Sequence, residues 1–111
     1  MTDLSQQRCI PCEGGVKPLS ADEATEKLKQ LGDNWELVDD GKAIRATFKF
    51  KGFMRTVMFV NSVAWITQTQ DHHPDVAFDY NTATVKYWTH AIDGLSDNDF
   101  ICAAKVDALL A

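Results

Sequence analysis

Residues 75–90 read Asp75-Val76-Ala77-Phe78-Asp79-Tyr80-Asn81-Thr82-Ala83-Thr84-Val85-Lys86-Tyr87-Trp88-Thr89-His90. Val76, Phe78 and Tyr80 alternate, the period of a β-strand. Asn81-Thr82 turns the chain, and Ala83 to Thr89 is a second run rich in β-branched and aromatic residues. The stretch therefore predicts an antiparallel hairpin.

Upstream the same pattern recurs. Trp35 to Val38 reads as a short strand, and Asp39-Asp40-Gly41-Lys42 is turn chemistry. From Ala43 to Phe50, Ile44, Ala46, Phe48 and Phe50 point one way and Arg45, Thr47 and Lys49 the other. Between the hairpins, Gly52 to about Gln70 reads as a long helix. Phe53, Val57, Val60 and Ala64 form one stripe, Met54, Met58 and Trp65 a second, and Phe59, Val63 and Ile66 a third. A helix apolar on nearly all sides is buried on more than one side. One sheet face covers only part of it, so a partner subunit is expected, in a homodimer or homotetramer.

Ser20 opens an earlier helix, with Glu23 closing a capping box and Leu19 before the cap. Ala24, Leu28 and Leu31 share a face, and Gly32 is the natural stop. After Gly94 breaks the last strand, Ser96 caps a final helix to about Leu110, with Phe100, Ala104 and Ala108 inward. The expected order is α-β-β-α-β-β-α. It implies an α+β fold in a single domain, a four-stranded antiparallel sheet with helices packed on one face. Residues 1–19 are polar and aperiodic and read as a loosely ordered arm, with the domain over 20–111.

The chain has 111 residues, enough for one modest core. Its residues are 45% hydrophobic and 24% charged, the balance of an ordinary soluble domain. The formal net charge of -5 argues against direct nucleic-acid binding, which draws on phosphate neutralisation, and against an anionic membrane surface. No apolar run suits a membrane span or a signal core, so a cytoplasmic location is expected. An odd cysteine count, 3, fits free thiols. Cys9-Ile10-Pro11-Cys12 looks like half a zinc site, but no second cysteine pair completes four ligands, and no metal is expected.

All 3 histidines lie between positions 72 and 90. His72 and His73 stand where the long helix should end, and His90 at the end of the fourth strand. If the last two strands pair, the start of one lies beside the end of the other, and the imidazoles gather at one sheet edge. Histidine is the side chain best suited to proton exchange near neutrality. Pro74 drives His73 towards extended backbone, so His72 and His73 should point to opposite sides. They suit different parts of a flat ligand better than one metal ion. Plainer roles stand beside these: a dipole partner for a histidine at a helix end, a cap for Asp99 after Ser96, a helix end for Asp71, strand positions for Trp88 and Thr89, and core for Trp35.

Asp71-His72-His73-Pro74, Tyr80, Thr89-His90, Gly94-Leu95-Ser96 and Asp99 together resemble the signature of the pterin-4a-carbinolamine dehydratases. The intervals match as well: five residues between Pro74 and Tyr80, nine from there to His90, eight from there to Asp99. The resemblance runs from about Ser20 to the C-terminus, through Trp35 and the run Phe48-Lys49-Phe50-Lys51-Gly52-Phe53. One position departs: the family usually carries a charged residue, often Glu, where this chain has Gln68. An amide keeps a hydrogen bond but cannot act as a carboxylate.

The resemblance implies a hydro-lyase that dehydrates 4a-hydroxytetrahydropterin to quinonoid dihydropterin. That step recycles the pterin of an aromatic amino-acid hydroxylase, as in phenylalanine metabolism. No cofactor is implied, because the pterin is the substrate. It implies catalytic roles for His72, His73 and His90. Within these, His72 and His90 would be the acid and base, and His73 would orient the ring. Asp71 and the backbone around Trp88, Thr89 and Ala91 would bind the ring, and Asp99 would support the His90 segment. The arm resembles that of bacterial members. The rival is a pterin- or protein-binding regulator on the same fold.

Overall fold

The computed structural model describes residues 4–10 and 17–111. Its helices are α1 (Ala21–Leu28), α2 (Phe53–Gln70) and α3 (Asp97–Ala108), and its strands β1 (Trp35–Val38), β2 (Ala43–Lys49), β3 (Asp75–Phe78) and β4 (Thr82–Tyr87). Short 3-10 turns add Leu4–Gln6 and His90–Ile92. The strands form one four-stranded sheet in the order β1-β2-β4-β3, every neighbouring pair antiparallel.

The expected alternation decides which sheet face is covered. Ile44, Ala46 and Phe48 of β2 are buried, while Arg45, Thr47 and Lys49 are exposed. Ala83, Val85 and Tyr87 of β4 continue the buried face. The helices pack on this face, with Val63 of α2 and Phe100 and Val106 of α3 all but inaccessible. Each such side chain contributes about 1.5–3 kcal/mol on burial.

Helix starts follow the capping chemistry. The Glu23 N–H donates to Ser20 Oγ at 3.1 Å, and the Ser20 N–H to Glu23 Oε1 at 3.0 Å. Gly52 precedes α2 at φ 131°, a conformation that an L side chain resists. Beyond α1, the Gly32 N–H and Trp35 Nε1–H donate to the two oxygens of Asp107, at 2.7 and 2.8 Å, and tie that corner to α3.

Some expectations need correction. Of the three apolar stripes on α2, Phe59, Val63 and Ile66 are buried in the core, joined by Thr56, while Val60 of another packs against it half-buried. Thr56 is tolerated there because its hydroxyl reaches the carbonyls of Gly52 and Tyr80. Ala64, Met54, Met58 and Trp65 are exposed, Trp65 to 70%. β3 is an edge strand with every residue exposed, so its alternation marks no buried face within one chain. β4 stops at Tyr87 rather than Thr89, and β3 at Phe78 rather than Tyr80, where the turn residues take over. α1 ends before Gly32, and α3 ends at Ala108, which is exposed at the last turn rather than inward. Within the arm Leu4 is buried, and the Lys105 ammonium donates to the Ser5 carbonyl at 2.8 Å.

Candidate active site

The pairing of β3 with β4 sets Asp75 opposite Lys86 and Val76 opposite Val85. The residues before β3 and after β4 are thereby neighbours. A pocket of about 510 Å³ opens between them, lined by Cys9, Ile10, Thr69, Gln70, Asp71, His72, His73, Trp88, Thr89, His90, Ala91 and Asn98. Its size suits a small-molecule ligand.

α2 is capped by Asp71, whose φ of 53° is left-handed and whose N–H closes on the Thr67 carbonyl at 2.8 Å. That reversal drops His72 inward. Its ring stacks on Tyr87 with centroids 5.9 Å apart and planes 6° from parallel. Its side chain is 11% exposed, against 73% for His73, so the two neighbours point to opposite sides. Asp71 is open to solvent, with Oδ1 3.9 Å from His73 Nε2.

Asp99 lies behind His72 and is completely buried. Oδ1 is 2.6 Å from His72 Nε2. Oδ2 accepts from Thr89 Oγ1 at 2.8 Å and from the Ser96 N–H at 3.0 Å. The Ser96 hydroxyl completes the chain by donating to Thr89 Oγ1 at 2.7 Å. Asp99 is thus a helix cap and an anchor for Thr89, as expected. It is also the direct partner of His72, which the expectation lacked. Burial disfavours the charged imidazole, but the hydrogen bond and charge of Asp99 outweigh it, helped by Cys9 and Asp71. The His72 pKa is therefore raised above its usual value of 6.5.

His90 reaches the mouth by a tight return. Thr89 and Gly94 form an isolated antiparallel bridge, and the His90–Ile92 turn bulges between them. Gly94 is needed for close approach, since an added Cβ would lie 2.8 Å from the Pro18 side chain. The exposed His90 ring stacks on Trp88 at 4.2 Å and 18°. Lys86 Nζ sits 5.0 Å from the centre of the Trp88 ring.

Every site residue expected from the sequence therefore lies in or directly behind one pocket. Gln68 is exposed and outside its lining. Thr69, Gln70 and Asn98 were not anticipated, and Cys9 and Ile10 only as part of a zinc-like run. Gln70 and Asn98 carried a faint signal, each one position from a residue already singled out. Among the described residues no cluster of His, Cys, Asp or Glu is arranged to hold a metal ion. Cys12, the other half of the zinc-like pair, lies outside the described residues. Among the described residues no helix is long and apolar enough to cross a membrane.

Comparison with known proteins converges on one family. The sequence model of the family described as pterin 4 alpha carbinolamine dehydratase matches residues 17–109. A Nitrosomonas eutropha protein provisionally named pterin-4-alpha-carbinolamine dehydratase is 56% identical over 108 residues, 97% of this chain and 94% of its own. A Legionella pneumophila protein with the same provisional name is 45% identical over 109 residues, 98% of this chain and 96% of its own. The Brucella melitensis structure described as a transcriptional coactivator/pterin dehydratase superimposes with a TM-score of 0.80 at 34% identity, covering 86% of this chain and all of that one. A pterin dehydratase-like protein identified as a RuBisCO assembly factor in the alpha-carboxysome shares the fold at a TM-score of 0.61, with 21% identity over 68% of this chain and 88% of its own. The chain belongs to the pterin 4 alpha carbinolamine dehydratase family.

Proposed function

We propose that this protein dehydrates 4a-hydroxytetrahydropterin to quinonoid dihydropterin, recycling the pterin spent by an aromatic amino-acid hydroxylase. The observation that carries the reading is the buried His72–Asp99 pair facing a pocket that His90 also borders. The reaction breaks the C4a–oxygen bond, releases water and forms a double bond between C4a and N5. It needs one proton delivered to the leaving hydroxyl and one removed from N5.

His72 is suited to the first task. Its Nε2–H is committed to Asp99, because a carboxylate can only accept. Nδ1 is the nitrogen left to exchange a proton with the ligand. The Asp99 charge favours the imidazolium, which suits His72 to deliver a proton. His90, whose ring meets Trp88 rather than a carboxylate, is suited to take the N5 proton. Two imidazoles in different environments thereby divide acid and base work. His73 and Asp71, on the exposed side, bind and orient the pterin, with the backbone of Trp88, Thr89 and Ala91 along the ring edge.

Only protons and water are exchanged, so the chemistry calls for neither a metal nor a redox cofactor. The protein acts as a homodimer or homotetramer in the cytoplasm. Its interface uses the outer face of α2 and the edge of β3, where Met58, Trp65 and Phe78 stand exposed.

The test is the decay of freshly made 4a-hydroxytetrahydropterin with and without the protein. Catalysed decay, beyond that in buffer, is expected. Unchanged decay together with tight pterin binding would favour a regulator that kept the pocket and lost turnover.

A further inference from the structure

Cys9 and Cys102 are 93 positions apart in the chain, yet their sulfurs are 3.4 Å apart. The acid–base chemistry uses neither. Cys102 is fully buried on α3, one turn beyond Asn98. Cys9 is half-buried and lines the pocket. It is held there from both sides. Its N–H donates to Gln70 Oε1 at 2.9 Å. Asn98 clamps the next residue, with Oδ1 accepting from the Ile10 N–H at 2.9 Å and Nδ2 donating to the Ile10 carbonyl.

We propose that Cys9 and Cys102 form a reversible disulfide that locks the 4–10 segment onto α3 at the wall of the pocket. Closing the sulfurs to a bond of about 2.05 Å takes roughly 1.3 Å of movement, and the backbone around Cys9 is already fixed by its neighbours. The two thiols have different roles. Cys9 is the one that a reagent can reach. The hydrogen bond from Cys102 lowers its pKa against the opposing effect of burial, and the charges of His72 and Lys105 add to the lowering. The same bond and burial push the Cys102 thiol up, so it keeps its proton until it reacts. A partly exposed thiol with a lowered pKa beside a buried thiol is the arrangement of an attacking and a resolving cysteine.

The oxidant required is a hydroperoxide. The Cys9 thiolate attacks one peroxide oxygen, forming S–O as O–O breaks, and the departing oxygen takes up a proton. The Cys102 sulfur then attacks the Cys9 sulfur. S–S forms, S–O breaks, and the hydroxide leaves as water with the Cys102 proton. Two thiols lose two electrons, and hydrogen peroxide becomes two waters. A dithiol reverses the bond and is itself oxidised to a disulfide. The lock fixes the Cys9–Ile10 wall and leaves the His72–Asp99 contact in place, so it changes the pocket that receives the substrate. That consequence rests on the dehydratase reading, whereas the cross-link does not.

The experiment treats the full-length protein with hydrogen peroxide, alkylates the remaining thiols and maps the peptides by mass. A Cys9–Cys102 cross-linked peptide is expected. It should also form in Cys12→Ser, fail to form in Cys9→Ser and disappear with dithiothreitol. The KM for 4a-hydroxytetrahydropterin should differ about twofold or more between cross-linked and reduced protein. A Cys9–Cys12 cross-link, or oxidation of Cys9 without any cross-link, would overturn the proposal. An unchanged KM in fully cross-linked protein would overturn the effect on the pocket. Absence of turnover in both forms, with the cross-link present, would count against the dehydratase reading alone.

Discussion

His72 donates from Nε2 to the completely buried carboxylate of Asp99 at 2.6 Å, across 27 positions of chain. One link joins the end of α2 to the first turn of α3 and raises the His72 pKa. Asp99→Asn preserves shape but removes the charge that outweighs the burial of His72. The His72 pKa should fall, readable from its ring protons by NMR titration. The amide also presents a donor where Thr89, Ser96 and His72 all donate, which costs about 1–3 kcal/mol of stability. Because the folded pKa of His72 is raised, its proton stabilises the native state fully below the unfolded value near 6.5. That stabilisation disappears as pH rises through the folded pKa. The wild-type stability advantage over Asp99→Asn should therefore shrink as pH is raised past the His72 titration. If it grows instead, the assigned sign is wrong.

Assembly offers a second check. Met58 and Trp65 lie seven positions apart on the uncovered face of α2, two turns along one stripe. The protein should sediment at micromolar concentration as a multiple of its 12.4 kDa chain, with a tetramer expected. Replacing both residues by Glu should lower the assembly state without unfolding the chain. A wild-type monomer would contradict the expectation.

The open face of α2 also shows where sequence reading stops. Alternation in β2 and β4 and the capping box at Ser20 were legible because each is local. The hairpin between β3 and β4 brought the histidines together on paper, since antiparallel pairing fixes which ends are neighbours. Which stripe of α2 faces the core was not legible: an all-apolar helix has no polar side to rule out, and the deciding contacts come from Phe48 and Phe50, both 5.0 Å from Phe59 between ring centres. The His72–Asp99 bond was hidden because Asp99 already had a sufficient local role after Ser96. The approach of Cys9 to Cys102 has no local signature at all.

Metal dependence is a third check. The reaction moves protons and water, and the pocket's imidazoles diverge: His72 faces Tyr87 and His73 faces solvent. Activity should survive exhaustive chelation, measured as kcat/KM before and after dialysis against a strong chelator. Stoichiometric zinc lost in parallel with activity would contradict this.

The central claim is that His72 and His90 share the proton transfers of one dehydration. Stopped-flow decay of freshly generated 4a-hydroxytetrahydropterin tests it most directly, with buffer decay subtracted. His72→Ala and His90→Ala should each lower kcat by about 10²–10⁴, and His73→Ala should act mainly on KM. The double variant should fall little further than either single one, because acid and base serve one transition state. If all the single variants stay folded and assembled and keep the wild-type kcat/KM, the acid–base account is contradicted.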